Sequence, residues 1–564
     1  MTFFPRSGAM PVLLAVLMGL QHAFAMLGGL ITPPYVIAKF SIDFGDVALQ
    51  QYAIAAALIV SGICTIMNCV QIPLPGGYKL GTGVLSVVGT SFTFLPIIES
   101  AVQTMKAEGC ADAVAEAAAA GIADFSCDGN YEGRKAYGRI LGTVLVCSLF
   151  EVGLSFVPFD KLRKAFPPLV SGITVMLIGA SLTGTGMKYW GGGAVCADMS
   201  WKLHAQVASS VGFGDAPVSA IPSAICSAGE VQLPFGSTEL IGLGFSVFAM
   251  LVLIELFGSP FMKNCNVVIS LLFGYFVAGV SRHCVNGADG SETCLRYIVD
   301  QKIKEAEPVT FLWAETFPLG FYAPAVFPLL ICYIVTTVET IGDIRATYEA
   351  SYLETDTEEY GKSIQGGILS DGVCSFFAAL ATSMPNTTFS QNNGVIALTK
   401  CASKWAGVAC GAWLILMGIL AKISGIISSI PDAVLGGMTT FLFCNVFVSG
   451  LKVVSSVDLS SRRNRFILAV SMGVGLGVAI VPNVFGDMRA SSLHASFWPC
   501  TDCDKSERAV RSGILLFLNT PYCVGSFLAM LLNAILPSDP IIVAPDGEEI
   551  DAISAKSLPT KVQE

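Results

Sequence analysis

Long runs of apolar residues recur along the whole chain, separated by shorter polar segments. A helix crosses the roughly 30 Å hydrocarbon layer of a bilayer with about 20 mainly apolar residues, because each residue adds about 1.5 Å. By this measure each half of the chain contains seven candidate spans. The first seven are 12–30, 52–72, 81–98, 137–157, 167–187, 240–256 and 267–280, and the second seven are 324–341, 364–384, 387–398, 405–427, 433–449, 466–481 and 514–536. The pattern predicts an all-α polytopic membrane protein with 14 transmembrane segments.

The third segment of each half breaks the apolar pattern. It reads GTGVLSVVGTSFTFLP at 81–96 and SMPNTTFSQNNGVIALTK at 383–400. Backbone polar groups cannot face lipid unpaired, so such segments must be buried in protein or line a cavity. Interrupted spans at matching positions of two halves are typical of a transporter site. Because seven is odd, the halves would insert with opposite orientation and the broken spans would meet near the middle of the membrane. The alternative is a pair of re-entrant structural kinks.

The composition supports a membrane location. The 564 residues are 53% hydrophobic and 13% charged, with a mean hydropathy of +0.67, whereas soluble domains carry about 25% charged residues. A net charge of −10 and the lack of basic runs with interleaved aromatics argue against nucleic-acid binding. Arg6 precedes an apolar stretch, but that stretch contains Gln21 and His22 and lacks a small-residue cleavage site. No signal peptide is therefore predicted.

Cysteine positions indicate which side of the membrane is outside. An even number of spans puts both termini on one side, and a cytosolic N-terminus places eight cysteines in the four longest outer loops, two to a loop. These candidates for disulfide bonds are Cys110 and Cys127, Cys196 and Cys226, Cys284 and Cys294, and Cys500 and Cys503. Disulfides form on the oxidising side of a membrane, so the pattern predicts cytosolic N- and C-termini. The connectivity stays open at this level.

Ionisable residues within the predicted spans are candidates for function, because a charge is expensive in a bilayer. Glu339 and Asp343 lie four residues apart at the end of span eight, which places both carboxylates on one helix face. Asp371 lies in the next span. Carboxylates near one cavity repel each other when all are ionised, and a proton-coupled carrier needs a group that takes a proton outside and releases it inside. The alternative places Asp343 already at the aqueous surface.

Other polar residues in the spans receive different interpretations. His22, beside Gln21 in span one, could position a neighbouring span through a hydrogen bond or contact the substrate directly. Glu151 and Glu255 lie near the cytosolic ends of their spans, and we interpret both as snorkelling or structural.

Gln391 opens a run of amide side chains between apolar segments. Its side chain offers both a donor and an acceptor, and so can pair with a lactam edge that has C=O beside N–H. Ionised Glu339 could accept from a second ring N–H, and Phe92 and Phe389, one in each broken segment, could stack on a planar ring. This combination favours a flat, hydrogen-bonding heterocycle over a simple inorganic anion.

Signatures of enzymes and of metal sites are missing from the sequence. It contains no phosphate-binding Gly-Lys-Ser/Thr motif and no Cys/His spacing typical of zinc. The sequence therefore predicts no enzyme activity, no cofactor and no metal site.

Five motifs in the chain resemble those of one transporter family. The stretch QNNGVIALTK at 391–400 resembles the signature Gln/Glu/Pro-Asn-x-Gly-x4-Thr-Arg/Lys of the nucleobase–ascorbate transporter family, also called nucleobase:cation symporter-2. QH at 21–22, GTSF at 89–92, ETIGD at 339–343 and SDG at 370–372 resemble further family blocks, in family order. The similarity extends from about residue 21 to about residue 536.

The resemblance implies a fold of two inverted seven-span repeats, with spans 3 and 10 each broken into a short strand plus a half-helix. It implies a core domain at 10–158 and 322–428, a gate domain at 159–282 and 429–538, and a cytosolic tail at 539–564. It also implies a homodimer in which the core moves against the gate as an elevator.

The resemblance also assigns roles to particular residues. Glu339 and Gln391 would bind the base. The other positions that match substrate-binding residues are Phe92, Phe389, Ser390 and Asn392, and those that match residues tied to coupling or folding are Glu339, Asp343, Asp371 and His22.

Glutamine at the first signature position resembles the branch of fungal-type uric acid–xanthine permeases, whereas uracil-type members usually have Glu there and ascorbate members Pro. The sequence therefore predicts proton-coupled import of xanthine or uric acid across the plasma membrane. A uracil or ascorbate carrier of the same family is an alternative. So are an inorganic-anion exchanger of the related fold, against which a fixed carboxylate at the site argues, and a channel or nontransporting receptor.

Overall fold

A computed structural model gives the fold of most of the chain. It describes residues 4–6, 8, 10–39, 46–119, 132–158, 167–194, 196–197, 225–286, 292–355, 357–481, 484–485, 505–537, 541–543 and 549–551. These residues are predominantly helical. Of the predicted tail at 539–564, only 541–543 and 549–551 lie in this part of the chain, and they pair as two antiparallel strands.

Most of the long helices coincide with predicted apolar segments. The first eight are α1 Val12–Ile37, α2 Val47–Val70, α3 Leu95–Ala119, α4 Gly133–Leu154, α5 Pro168–Trp190, α6 Thr238–Phe257, α7 Pro260–Asn264 and α8 Asn266–Val280. The remaining ten are α9 Gln301–Glu305, α10 Val326–Ala350, α11 Glu358–Leu380, α12 Gln391–Thr399, α13 Lys404–Ile419, α14 Ala421–Ser428, α15 Asp432–Ser455, α16 Arg462–Ile480, α17 Lys505–Leu518 and α18 Pro521–Ile535.

By length and composition, nine helices among the described residues could cross a membrane. The number rises to eleven if the bent pairs α13–α14 and α17–α18 each count as one span. The predicted segments outside that count are α8, which has only 15 residues, and the two broken segments. The coarse prediction of a polytopic helical membrane protein is confirmed.

Ten short strands form five two-stranded antiparallel sheets in the described chain. They are β1 Ile72–Pro73, β2 Lys79–Leu80, β3 Val88–Thr90, β4 Ile225–Ala228, β5 Val231–Pro234, β6 Arg282–Asn286, β7 Glu292–Arg296, β8 Asn386–Thr388, β9 Ile541–Val543 and β10 Glu549–Asp551. Four of these sheets pair strands that are close in sequence. The pair β3–β8 instead joins two segments about three hundred residues apart, with Val88 opposite Thr388 and Thr90 opposite Asn386.

The strands β3 and β8 are the two interruptions that the sequence predicts. Each is buried, and backbone hydrogen bonds join the two segments, as where Phe389 N donates to Val87 O at 2.9 Å. The backbone N–H of Val88 donates instead to Thr65 Oγ1 of α2 at 3.0 Å. A helix follows each strand, but the two helices differ. The first, α3, extends to Ala119, well past the predicted segment end at 98, whereas α12 has nine residues.

Two predicted spans are not single straight helices. The segment 405–427 is divided into α13 and α14, which meet at 74°, and 514–536 is divided into α17 and α18, which meet at 80°. At the second break Pro521 begins α18, and the residue before it, Thr520, is extended. Proline disfavours the helical conformation in the preceding residue, which explains why one helix ends there and another begins.

The long helices pack in two groups. One contains α1, α2, α4, α10, α11 and α13, and the other contains α5, α6, α8, α15, α16 and α18. Small residues allow close contact within each group, as is common between membrane helices. On α2, a Cβ at Gly62 would lie 2.5 Å from the carbonyl oxygen of Gly411 on α13. On α5, a Cβ at Gly179 would lie 2.4 Å from the backbone nitrogen of Phe447 on α15.

An ion pair joins the two groups at the C-terminal end of α1. Lys39 Nζ contacts the carboxylate of Asp432, the first residue of α15, and Tyr35 OH donates to Asp432 Oδ1 at 2.8 Å. Asp432 is buried and Lys39 is half-buried. This contact between α1 and α15 is distinct from the broken segments.

Disulfide bonds occur within the predicted outer loops. Cys196 is bonded to Cys226 and Cys284 to Cys294. Cys110 is also disulfide-bonded. The predicted candidates Cys127, Cys500 and Cys503 lie outside the described residues.

Candidate transport site

The two broken segments lie side by side, with α10 next to β8 and to the turn at 92–94 that follows β3. Ser390 and Gln391, at the start of α12, both have exposed side chains. Because α12 begins here, the free N–H groups of its first turn lie beside Gln391. The predicted substrate-binding glutamine is therefore accessible and not packed into the protein core.

Phe389 is held between two glycines. It is only 5% exposed, and a Cβ added at Gly29 of α1 or at Gly89 of β3 would lie 2.9 Å from its ring. The helix that contains the QH block and the strand that begins the GTSF block thus leave space for one aromatic ring.

Phe92 contacts the other helix group. Its ring packs edge-to-face on Phe443 of α15, with centroids 5.4 Å apart, and it remains half-buried. Close by, Tyr522 OH of α18 donates to the carbonyl of Thr93 at 2.9 Å. The candidate site therefore lies where the two groups of helices meet.

Glu339 connects α10 to the first broken segment. Thr93 Oγ1 lies 3.4 Å from Glu339 Oε2 and donates a hydrogen bond to it. The carboxylate is half-buried. None of the ion pairs among the described residues includes Glu339, so its charge is not neutralised by a neighbouring lysine or arginine.

Asp343 and Asp371 are bound by threonines on either side of β8. Thr388 Oγ1 donates to Asp343 Oδ2 at 3.0 Å, and the preceding residue, Thr387, donates to Asp371 Oδ2 at 3.1 Å. Successive side chains of a strand point to opposite faces, so β8 reaches α10 with one threonine and α11 with the other. Thr340 of α10 completes the network, because it donates to Asp371 at 2.6 Å and lies 3.2 Å from Thr388 Oγ1.

The amides after Gln391 have structural partners. Asn392 is buried and donates to the carbonyl of Leu85 at 2.9 Å, which ties α12 to the first broken segment. Its Oδ1 is buried and has no partner among the described residues. Asn393 Oδ1 accepts from Thr347 of α10 at 2.6 Å.

His22 is separate from this network. It is fully buried on α1, and neither ring nitrogen has a hydrogen-bond partner within the described part of the chain. No hydrogen bond therefore joins it to the carboxylates.

Of the two acids interpreted as snorkelling or structural, only Glu255 is placed to snorkel. Glu255 is 66% exposed, and its carboxylate lies 3.8 Å from Lys263. Snorkelling is wrong for Glu151, which is fully buried and accepts hydrogen bonds from Thr336 and Thr337 of α10. The position of Glu151 along its span is readable from the sequence, but the sequence does not show that α10 and α11 cover this face of α4.

Threonines are the site residues that sequence reasoning missed. The network depends on Thr340, Thr387 and Thr388, which lie inside the TTVET and NTT stretches. The threonines around Glu339 in TTVET were an available signal, whereas NTT has no acid beside it in the sequence.

Two short paired strands that interrupt the helices of a membrane protein, with a group of acids beside them, are typical of a membrane transporter. The chain belongs to the nucleobase–ascorbate transporters: the family model Xan_ur_permease, described as the Permease family, matches residues 14–213 and 203–484.

Individual relatives agree with this assignment. The chain is 40% identical over 558 residues to the uric acid–xanthine permease of Emericella nidulans, covering 98% of this chain and 85% of the relative. It is 39% identical over 548 residues to a purine permease of the same fungus, covering 95% and 84%. The xanthine permease XanQ of Escherichia coli is 27% identical over 524 residues, covering 93% and 91%. These relatives are permeases, so the chain is a transporter and not an enzyme.

Among solved structures, the transmembrane domain of the cyanobacterial bicarbonate transporter BicA is similar with a TM-score of 0.49. It is 13% identical, and the match covers 85% of this chain and 99% of that domain.

Proposed function

We propose that this protein is a proton-coupled symporter that imports purine nucleobases, with xanthine, uric acid or both as substrates. The relatives that support this are named as uric acid–xanthine, purine and xanthine permeases. This proposal rests on one observation: Gln391 is accessible, and the carboxylate of Glu339 has no cationic partner in the described chain.

The side chains suit a purine. Xanthine and uric acid are flat rings whose edges carry C=O beside N–H, and the amide of Gln391 can donate to one and accept from the other. Glu339 accepts a hydrogen bond from a further ring N–H, and the aromatic rings of Phe92 and Phe389 add flat apolar surface. Ser390 and Asn392 are the remaining candidates for contacts with the base.

The acids suit proton coupling. Glu339, Asp343 and Asp371 would place several negative charges beside one site, and threonine hydroxyls are their partners in the described residues. A proton from outside relieves the repulsion between these carboxylates, and its release inside completes the cycle. His22, which is buried and has no hydrogen-bond partner among the described residues, is a candidate for a supporting role in coupling. Uncompensated carboxylates also argue against an inorganic-anion exchanger.

We further propose the architecture that such a cycle requires. The 14 spans form two inverted repeats, with a core at 10–158 and 322–428 and a gate at 159–282 and 429–538. The two packing groups of helices support this division, because each group belongs to one of these parts. The core moves against the gate as an elevator in a homodimer of the plasma membrane, with cytosolic termini.

The decisive experiment measures uptake in cells that lack their own purine carriers. Radiolabelled xanthine should accumulate, uptake should rise as the external pH falls, and a protonophore should abolish accumulation. Glu339→Gln should abolish proton-driven uptake while the protein still reaches the cell surface, because the substitution keeps the size of the side chain and removes its charge. Normal pH-dependent uptake by that variant would contradict the assignment.

A competition panel separates the alternatives. Unlabelled xanthine, urate, guanine, uracil, ascorbate and sulfate are each added against labelled xanthine. Inhibition by xanthine and urate supports the proposal. Stronger inhibition by uracil or ascorbate than by xanthine would indicate another carrier of the same family. Uptake of labelled sulfate in a parallel assay would indicate an anion exchanger.

A further inference from the structure

Glu151 is a fully buried carboxylate for which the proposed function has no use. It lies on α4, three residues before the helix ends at Leu154. Its Oε1 accepts hydrogen bonds from Thr336 Oγ1 at 2.9 Å and from Thr337 Oγ1 at 3.2 Å, whereas Oε2 is buried and has no partner among the described residues. A buried ionised oxygen without a partner is costly. This geometry therefore favours a proton on Oε2.

Asp371 on α11 repeats the arrangement. Its Oδ2 accepts from Thr340 at 2.6 Å and from Thr387 at 3.1 Å, whereas Oδ1 is buried and has no partner in the described chain. In both acids, threonine hydroxyls bind one oxygen and leave the other available for a proton.

The helices α4 and α11 cross closely at these two acids. Gly372 follows Asp371, and a Cβ there would lie 2.8 Å from the backbone nitrogen of Val152, the residue after Glu151. Glycine permits this close approach between membrane helices. The glycine of the SDG block therefore brings the backbone next to Asp371 close to the backbone of Glu151, where the two helices pack together.

The groups that face Glu151 are acidic or neutral. Among the described residues these are Asp371 from α11 and Glu339 and Tyr333 from α10. No ion pair of the described residues includes Glu151 or Asp371. Two like charges in such a place cannot both persist without a cation, so the pair must hold at least one proton.

Helix α10 connects this pair to the candidate transport site. Thr336, which binds Glu151, lies three residues before Glu339, and Thr337 lies three residues before Thr340, which binds Asp371. Residues three apart on a helix share a face. A change of protonation at Glu151 therefore acts on the same helix that presents Glu339.

We propose that Glu151 is a proton-carrying residue of the transport cycle, which shares a proton with Asp371 and links its uptake and release to Glu339 through α10. The proton moves between carboxyl oxygens and water, and no bond other than O–H forms or breaks. This inference rests on the proposed proton-coupled transport.

The test uses the full-length protein in proteoliposomes, with labelled xanthine as the probe. Two rates are compared for each variant: uptake driven by an inward proton gradient, and exchange of internal for external xanthine without a gradient. We expect Glu151→Gln to lower the ratio of driven uptake to exchange at least tenfold and to flatten the pH profile of uptake. The ratio does not depend on how much protein is inserted.

Glu255→Gln is the matched control, because Glu255 also lies on a predicted span but is exposed and paired with Lys263. It should keep the wild-type ratio and pH profile. If Glu151→Gln behaves like this control while the wild type responds to pH, Glu151 is structural and the inference is wrong. If the wild type itself ignores the proton gradient, the proposed function fails instead.

A second variant covers the case in which Glu151→Gln does not fold. Glu151→Asp keeps an ionisable group, and infrared difference spectra between high and low pH detect protonated carboxyl groups. A protonated-carboxyl band of the wild type should shift in Glu151→Asp. A band that is unchanged in this variant would overturn the inference.

Discussion

At the scale of single residues, threonine hydroxyls and not cations bind the acids of this site in the part of the chain that the structure describes. Thr388 donates to Asp343 at 3.0 Å and Thr340 to Asp371 at 2.6 Å. A hydroxyl can donate to an ionised carboxylate and can also accept from a protonated one. Arginine can only donate, and would hold an acid in its charged form. Threonine partners therefore suit acids that must change protonation during a transport cycle.

Thr388→Val tests this role with almost no change of side-chain shape. It removes the hydroxyl that binds Asp343 and lies 3.2 Å from Thr340. Leaving a buried polar partner unsatisfied costs about 1–3 kcal/mol. We expect proton-driven xanthine uptake to fall at least fivefold and the thermal stability of the purified protein to decrease, as measured by initial uptake rates and thermal unfolding.

Thr183→Val is the matched control for that substitution. The hydroxyl of Thr183 donates to the carbonyl of Gly179 at 2.8 Å within α5, in the other group of helices. Its loss should leave uptake near the wild-type rate. If Thr388→Val takes up xanthine at the same near-wild-type rate as Thr183→Val, the threonine network has no part in transport.

At the scale of elements, the sequence predicted the two interruptions and that they would meet, but not which residues pair between the two strands. Gly, Ser and Thr in the third segment of each half showed that a continuous helix was unfavourable there. The contact of Val88 with Thr388 could not be predicted, because strands of three residues show too little alternation and their partners lie far apart in the chain. The same limit applies to Glu151, since apolar periodicity gives depth in the membrane but not the identity of the covering helix.

Gly89→Ala tests the packing of β3 against α1 and Phe389. The new Cβ would lie 2.2 Å from Leu30 Cδ2 and 2.9 Å from Phe389 Cζ, both closer than van der Waals contact permits. Overpacking of this kind costs about 1–3 kcal/mol, and here it would also displace an aromatic ring of the site. We expect lower thermal stability and at least tenfold weaker xanthine uptake.

Gly394→Ala is the control for this substitution. Gly394 belongs to the signature motif, yet a Cβ at that position meets nothing within 4 Å. Alanine also favours a helix more than glycine by about 1 kcal/mol. The variant should fold at least as well as the wild type. If Gly394→Ala destabilises the protein more than Gly89→Ala does, the packing described for β3 is wrong.

At the scale of the whole molecule, apolar length predicted where the membrane helices lie, but not where they bend. Apolar length does not predict the 74° angle between α13 and α14, because the two helices together still have the length and hydropathy of one span. Pro521 did carry a signal for the second break, since proline limits the residue before it. Apolar length therefore bears on the number of spans. The orientation of the protein in the membrane is a separate question, and its prediction depends on the cysteines.

Epitope accessibility tests the orientation and the parity of the span count together. An epitope inserted between Asn286 and Glu292 lies between Cys284 and Cys294, whose disulfide indicates the oxidising side of the membrane. It should bind antibody on intact cells, whereas epitopes before Met1 and after Glu564 should bind only after permeabilisation. An N-terminal epitope that is accessible on intact cells would reverse the proposed orientation. Accessibility of the C-terminal epitope alone would mean an odd number of spans, which is incompatible with two inverted seven-span repeats. Each tagged protein must first accumulate xanthine, because transport is the control that its fold is intact.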